Sequence, residues 1–160
     1  AAFAKDAARA GVDGMLLVDL PPEEADAYRA AFAHNGLALI SLASPTTPQA
    51  RLERLCQQAE GYLYYVSYAG VTGAAHLDVV EAARHLSQVQ AMAQVPVFAG
   101  FGIRDAASAA AMAAHADGVV VGSALVSVME SCTQAADVAN SAAAFLQPLR
   151  DALNGLAVSA

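Results

Sequence analysis

Positive charge is scarce in this sequence of 160 residues, which has 8 lysines and arginines against 15 aspartates and glutamates and a formal net charge of -7. A nucleic-acid-binding surface needs a basic face for the phosphate backbone, so this balance argues against a nucleic-acid partner. It does not argue against a small phosphorylated ligand, because backbone N–H groups at a helix start can hold a phosphate without net positive charge.

Cysteine is almost absent, and long apolar runs are lacking. The two cysteines, Cys56 and Cys132, show no CxxC spacing. Isolated thiols favour a reducing cytosol over a disulfide scaffold, so we expect a cytoplasmic location. Prolines interrupt the uncharged segment 36–50, and segment 118–129 is too short to cross a bilayer. We therefore expect no membrane association.

Short apolar runs alternate with amphipathic helical patterns along the chain. Because 57% of the residues are hydrophobic and only 14% are charged, we expect a folded chain. The apolar runs are typical of buried parallel strands, and their alternation with helices is the signature of βαβ units. The predicted strands cover residues 15–19, 37–42, 62–66, 95–99 and 118–121. The predicted helices cover residues 1–10, 49–58, 105–116 and 135–156, and the last of these is broken or restarted at Pro148. Two more helices are predicted to start at Pro21 and Ser123. Another predicted helix has a buried stripe made of Val79, Ala82, Leu86, Val89 and Ala93.

The pattern fits a single α/β domain over residues 1–160, with a C-terminal helical segment at 135–156. An open doubly wound sheet and a closed barrel compete as architectures. The Rossmann pattern GxGxxG is absent, which weakens the dinucleotide-binding alternative. The glycine placement favours a (β/α)8 TIM barrel. Because a complete barrel needs about 250 residues, we expect a partial barrel of about five βα units.

Glycine-rich loops follow three successive predicted strands, at residues 70–73, 100–103 and 122–124, and the third opens directly into a helix at Ser123. Glycine allows backbone N–H groups to approach a phosphate closely, and a helix start adds unpaired donors. Each glycine alone is explained as a turn residue. On neighbouring loops of one barrel rim, they together predict a phosphate cradle.

Aromatic residues near the same rim are candidates for ligand contacts. Tyr62 and Tyr64 point to one face of their predicted strand, and Tyr65 points to the other. If the first face is the barrel interior, Tyr64 lines a pocket and Tyr62 fills a lower layer. The alternative is that all three only pack between sheet and helices. Phe101 lies between two glycines in a loop and is predicted to contact the ligand.

Other titratable residues receive structural interpretations. Asp19 ends the first predicted strand, where a barrel places catalytic acids. The prolines and acids that follow it suggest instead that Asp19 caps or orders the next helix, and we favour this interpretation. The histidines are expected on the surface, without a metal site, because no pair has ligand spacing; they are His34, His76, His85 and His115.

Four blocks of the sequence resemble the tryptophan synthase α subunit family. They cover residues 11–21, 61–73, 96–103 and 118–124 and keep the family's order, within a resemblance that extends over nearly all of residues 1–155. The pieces from Ser67 to Gly73 and from Gly100 to Ile103 are specific, whereas the piece at 122–124 is shared with many phosphate-binding barrels. Tyr68-Ala69 replaces a basic-plus-small pair that many members have.

The resemblance implies a lyase of tryptophan biosynthesis that cleaves indole-3-glycerol phosphate to indole and glyceraldehyde 3-phosphate. It implies no cofactor in this chain and an α2β2 assembly with a β subunit that carries pyridoxal phosphate. Carried over by motif, the phosphate-binding residues are Gly73, Gly102, Gly122 and Ser123, the indole-pocket residues are Tyr64 and Phe101, and the loop-closing residue is Thr72. Tyr64 at most assists catalysis.

The family's two catalytic carboxylates lie N-terminal to anything in this sequence. Met15 would open the family's fourth strand, so three strands, or roughly 90 residues, are missing from a complete barrel. We therefore expect this segment alone to be inactive. Two alternatives remain open: another phosphate-binding barrel of amino-acid biosynthesis, and a non-catalytic chain that binds phosphate or a β-subunit partner.

Overall fold

The computed structural model describes residues 2–66, 79–100 and 102–157, in which helices and strands alternate. The helices are α1 (Ala2–Arg9), α2 (Asp26–Ala33), α3 (Gln49–Gln58), α4 (Val79–Met92), α5 (Ala106–Ala113), α6 (Ser123–Glu130) and α7 (Val138–Ala157). The strands are β1 (Gly14–Leu16), β2 (Ala38–Ala43), β3 (Leu63–Val66), β4 (Val97–Gly100) and β5 (Gly118–Val120). Short 3-10 turns, Pro22–Glu24 and Ala135–Asp137, precede α2 and α7. None of the helices in this described part combines the length and the hydropathy needed to cross a membrane.

The strands form one parallel sheet in the order β1-β2-β3-β4-β5. Each strand therefore pairs with the next strand along the chain. A doubly wound sheet reverses its strand order at a switch point, whereas a barrel continues in one direction. The observed strand order is therefore that of a barrel and not of a doubly wound sheet, in agreement with the sequence prediction.

The two faces of the sheet differ in burial. One face packs under the helices, and its residues Leu63, Tyr65 and Val97 are at most 1% exposed. We call it the outer face, because the helices form the outer ring of a barrel. The inner face carries the alternate residues of the same strands, such as Tyr64 and Phe98, which are only half-buried. Tyr64 and Tyr65 thus point to opposite faces, in agreement with the sequence prediction.

Two carboxylates hold the amino ends of neighbouring strands together. Glu60 precedes β3, and its Oε2 accepts a hydrogen bond from the Leu39 N–H of β2 at 2.9 Å. Arg29 of α2 donates to the other oxygen of Glu60 at 2.9 Å. Asp117 precedes β5 and accepts a hydrogen bond from the Val97 N–H of β4 at 2.8 Å. Each carboxylate thereby satisfies a backbone donor at the start of the neighbouring strand.

The predicted break at Pro148 is wrong, because α7 is one helix from Val138 to Ala157. Proline lacks an N–H group, so the helix loses one hydrogen bond at this position. Leu149, the next residue, is 5% exposed and packs in a cluster that includes Phe145 and Leu153. Packing on both sides of the proline therefore outweighs its local effect.

The first βα unit is also shorter than predicted. Strand β1 ends at Leu16, and the N–H of Leu20 donates to the carbonyl of Leu17 at 3.2 Å, so the chain turns at Val18, which is 71% exposed. The predicted helix start at Pro21 is wrong as well. A 3-10 turn comes first, and α2 begins only at Asp26.

Candidate functional site

The loops after β4 and β5 lie side by side at one edge of the sheet. The carboxyl ends of parallel strands share an edge, and Gly100 of β4 pairs with Val120 of β5. Gly102 follows the end of β4, and Gly122 and Ser123 follow the end of β5. The structure therefore places these three candidate phosphate-binding residues at neighbouring positions of the rim.

Gly102 has a backbone conformation that residues other than glycine rarely adopt. Its φ angle is +69°, in the left-handed region. The next residue, Ile103, is 4% exposed and packs with Ala109 and Leu149. This buried side chain anchors the loop directly behind the glycine, so the Gly102 backbone is held at the rim while remaining exposed to solvent.

The start of α5 is closed by a capping box. Asp105 accepts a hydrogen bond from the Ser108 N–H at 2.8 Å, and the Ser108 hydroxyl accepts one from the Asp105 N–H at 3.1 Å. The hydrogen bonds from Ser108 hold the pKa of Asp105 below its usual value. These first-turn donors are satisfied by the chain itself, so α5 offers them to no ligand.

The start of α6 is open by comparison. Gly122 precedes the helix, and within the described residues no side chain forms a cap hydrogen bond there. The first N–H groups of a helix have no intrahelical partner and carry the positive end of the helix dipole, so they bind anions. A Cβ atom added at Gly122 would meet none of the described residues within 4 Å, and the Ser123 side chain is exposed. The loop thus offers backbone donors, a hydroxyl and free space to an anionic group.

Tyr64 lies on the inner face below this rim, against β4. Burial raises the pKa of Tyr64, and the neighbouring Tyr62 phenol raises it further. A phenol with a raised pKa stays protonated at neutral pH, so Tyr64 can donate a hydrogen bond but does not act as a base. Its place on the half-buried inner face suits contact with a flat apolar ring.

Three candidate site residues lie outside the described residues. They are Thr72, Gly73 and Phe101. Their assigned roles stay predictions from the sequence, and so does the convergence of the glycine loop at residues 70–73 on the other two loops.

Asp19 lines a cavity of about 330 Å³ that lies on the outer side of the sheet, between β2 and helices α2 and α3. The buried Ser41 is part of the same lining. The residues that start the two helical segments, Pro21 and Ala25, have no side-chain cap hydrogen bond. Asp19 is in neither cap position, so the interpretation of Asp19 as a helix cap is wrong. The other form of the interpretation, that Asp19 orders the next helix, stays a prediction.

The described histidines occupy peripheral positions. His34 lies at the C-terminal end of α2 and is exposed, and His85 and His115 are partly exposed; His76 lies outside the described residues. In the described part of the chain, no group of three or more histidine, cysteine, aspartate or glutamate residues is arranged to hold a metal ion.

Sequence reasoning missed a role for two strand glycines. Gly100 is the last residue of β4 and makes room for the Tyr64 ring, and Gly118 of β5 makes room for the Phe98 ring. The available signal was the presence of glycine at the ends of apolar strands, where it often marks a close approach of another group.

The sequence is similar to known proteins over almost its whole length. A family model described as tryptophan synthase alpha chain matches residues 1–154. The chain belongs to this family. It is 61% identical over 153 residues to the tryptophan synthase alpha chain of Xanthomonas campestris pv. campestris, covering 95% of this chain and 56% of that relative. It thus spans little more than half the length of the tryptophan synthase alpha chains that it matches.

Solved structures of the family agree with the fold. The tryptophan synthase subunit alpha of Legionella pneumophila superposes with a TM-score of 0.84 at 40% identity, covering 96% of this chain and 56% of that one. A tryptophan synthase complex from Pyrococcus furiosus matches with a TM-score of 0.77 at 27% identity, covering 93% of this chain and 58% of that one. The match to tryptophan synthase alpha structures confirms that the five strands form a partial barrel.

Proposed function

We propose that the full-length protein is a tryptophan synthase α subunit, a lyase that cleaves indole-3-glycerol phosphate to indole and glyceraldehyde 3-phosphate. The observation that carries the proposal is the uncapped start of α6 beside the Gly102 turn. Exposed N–H groups at a helix start and a solvent-exposed glycine turn on the adjacent strand suit a phosphate in a protein of net charge -7. Family membership of the chain supports the choice of substrate.

The residues divide into a phosphate end and a ring end. Gly102, Gly122 and Ser123 bind the substrate phosphate, with Gly73 contributing from the neighbouring loop. The inner face below them holds the indole ring. Tyr64 contacts the ring there, and this role rests on the lean of its own ring over Gly100 at the end of β4, toward the rim.

The remaining residues of the proposed site complete binding. Phe101 packs against the indole ring, and Thr72 fastens its loop over the bound substrate and excludes water from the proton-transfer steps. The general acid/base carboxylates belong to a part of the barrel outside this sequence, so the segment alone releases no indole. The protein acts in the cytoplasm and passes indole to a β subunit that carries pyridoxal phosphate, in an α2β2 assembly. The similarity to a solved tryptophan synthase complex supports this partner.

A charge placed at the start of α6 tests the proposal. In the full-length protein, Gly122→Asp should raise the KM for indole-3-glycerol phosphate about tenfold or more, because a carboxylate a few ångströms from the phosphate repels it. Gly122→Asn has the same shape and can also cap the first N–H groups of α6, so the amount by which the KM of the Asp variant exceeds that of the Asn variant measures the effect of the charge. Both side chains have room, since a Cβ atom at this position meets none of the described residues within 4 Å. Indole release is followed over a range of substrate concentrations. If the wild-type protein releases no indole, the proposed reaction is wrong; if Asp and Asn variants share one KM, the phosphate site is wrong.

A further inference from the structure

A second aromatic layer lies on the inner face beneath Tyr64. The rings of Tyr62 and Phe98 stack with their centroids 4.8 Å apart and an angle of 23° between their planes. Phe98 is part of β4, and its ring covers Gly118 of the neighbouring strand β5. A Cβ atom at Gly118 would lie 3.0 Å from Cδ1 and Cε1 of Phe98, a tight contact that any larger residue could make only if the ring shifted by a few tenths of an ångström. Stacking on one side and backbone on the other leave Phe98 little freedom to move.

The stacked pair lies at a definite depth below the rim. Phe98 precedes Gly100 by two residues on the same strand, which is roughly 7 Å at the rise of a parallel strand. The proposed phosphate position is above Gly100, at Gly102 and the start of α6. In the proposed binding mode, a substrate whose phosphate lies there extends its three-carbon chain along the inner face, so that its bicyclic ring passes Tyr64. The far edge of the ring then approaches the layer of Phe98.

We propose that Phe98, braced by Tyr62, is the floor of the ring pocket and sets the size of the ring that the site accepts. This inference rests on the proposed function. The Phe98 ring is apolar, so it offers van der Waals contact to the edge of a benzo ring and no hydrogen bond that would bind a polar substituent. Tyr64 contacts the ring from the side and leans over Gly100, one layer higher. Phe98 is therefore a specificity-determining residue without a part in proton transfer.

The experiment uses the reverse reaction of the full-length protein, the condensation of glyceraldehyde 3-phosphate with indole or with indoles methylated at one benzo-ring carbon. A rigid floor excludes a methyl group that points at it. We expect the wild-type protein to discriminate against at least one methylindole by about tenfold or more in kcat/KM, the range for one extra carbon in a tight pocket. Phe98→Ala removes the floor and should bring that ratio close to unity.

A matched control is available on the opposite face of the same strand. Val97 is 1% exposed under the helices, so Val97→Ala also removes buried carbon atoms but leaves the inner face unchanged. It should keep the wild-type preference among the methylindoles. If Phe98→Ala does not yield folded protein, Phe98→Leu, which keeps apolar volume but removes the flat ring, replaces it.

The outcomes separate the inference from the function on which it rests. A wild-type protein that neither forms nor cleaves indole-3-glycerol phosphate would contradict the proposed function. A wild-type protein that is active, with a preference that changes less than about threefold in the Phe98 variants at every ring position, would overturn the floor. A preference that shifts equally in Val97→Ala would also overturn it, because general loosening of the strand would then be the cause.

Discussion

The Tyr64 ring lies directly over the backbone of Gly100 on the neighbouring strand. A Cβ atom at Gly100 would lie 2.7 Å from both Cζ and Cε2 of Tyr64, closer than atoms in contact can approach. The two residues are not paired in register, since Tyr64 pairs with Phe98 and Val66 pairs with Gly100. The tyrosine side chain therefore leans along its strand toward the rim, and Gly100 provides the space that it occupies.

This contact predicts that Gly100→Ala displaces the Tyr64 ring. We expect the free energy of unfolding of the full-length protein to fall by about 1 to 3 kcal/mol, the usual cost of overpacking. Tyr64→Leu in the same protein removes the ring, so the double variant should lose less than the sum of the two single variants. Urea unfolding measures all three. Gly155→Ala serves as a comparison that should not lose stability, because alanine favours the helix α7 over glycine and a Cβ atom there meets none of the described residues within 4 Å; additive losses at residues 64 and 100 would contradict the contact.

The strand order and the rim position of several site residues could be predicted from the sequence, because both follow from local patterns. Helix α3 has the predicted bounds, Gln49–Gln58, since its apolar residues repeat at helical spacing. The rim position of Gly102 and Gly122 follows from the parallel order of strands. The lean of Tyr64 over a residue two positions beyond its register partner depends on side-chain rotamers, which no sequence pattern reports.

The start of α2 and the course of α7 could not be predicted because tertiary packing overrides local preference there. Pro148 is a strong helix breaker in any sequence pattern, yet Leu149 is buried at 5% exposure and holds the helix together. At Asp19 the sequence suggested a cap, but the turn after β1 ends before any helix starts. The roles of Thr72 and Phe101 stay predictions, since both residues lie outside the described part.

The ion pair of Arg29 and Glu60 is expected to stabilise the fold more than the pair of Arg51 and Glu23. The side chains of the first pair are 20% and 32% exposed, and Glu60 also accepts the Leu39 N–H. The side chains of the second pair are 46% and 50% exposed. Arg29→Gln should lower the free energy of unfolding by about 1 to 2 kcal/mol, as expected for a partly exposed hydrogen bond between charged groups. Arg51→Gln should have a smaller effect; equal urea midpoints for the two variants would contradict the ranking.

Tyr65 is expected to reduce stability through its hydroxyl group. The residue is 1% exposed, and its phenol oxygen is buried without a hydrogen-bond partner in the described part of the chain. Tyr65→Phe removes this oxygen and keeps the ring, so the variant should be more stable than the wild type by about 1 kcal/mol at neutral pH. Urea unfolding measures the difference, and Tyr28→Phe, at an exposed position, is the control. A less stable Phe variant would show that the hydroxyl has a partner.

The raised pKa of Tyr65 predicts that the protein loses stability at alkaline pH. Burial raises the pKa of Tyr65 from 10.0 to about 12. Because the folded state holds its proton more tightly than the unfolded state, this contribution is complete below pH 10 and is lost as the pH rises from 10 to about 12. The wild-type protein should therefore lose more stability across this window than Tyr65→Phe. Parallel curves of unfolding free energy against pH for the two proteins would contradict the raised pKa.

Ser108 and Ser123 occupy the first turns of neighbouring helices, and replacing them should have different effects. Loss of the Ser108 hydroxyl should lower stability, whereas loss of the Ser123 hydroxyl should weaken substrate binding. The Ser108 hydroxyl accepts the Arg104 and Asp105 N–H groups at 3.1 Å each, whereas the exposed Ser123 hydroxyl has no hydrogen-bond partner within the described residues. Ser108→Ala should cost about 0.5 to 2 kcal/mol of stability, the range for a lost cap, and change KM little. Ser123→Ala should leave the urea midpoint unchanged. It should raise the KM for indole-3-glycerol phosphate about tenfold, because a hydrogen bond to a charged phosphate is worth about 1.5 to 3 kcal/mol. Urea unfolding and steady-state kinetics on both variants separate the two roles: a stability loss in Ser123→Ala, with KM unchanged, would mean that the hydroxyl supports the helix and does not bind the substrate.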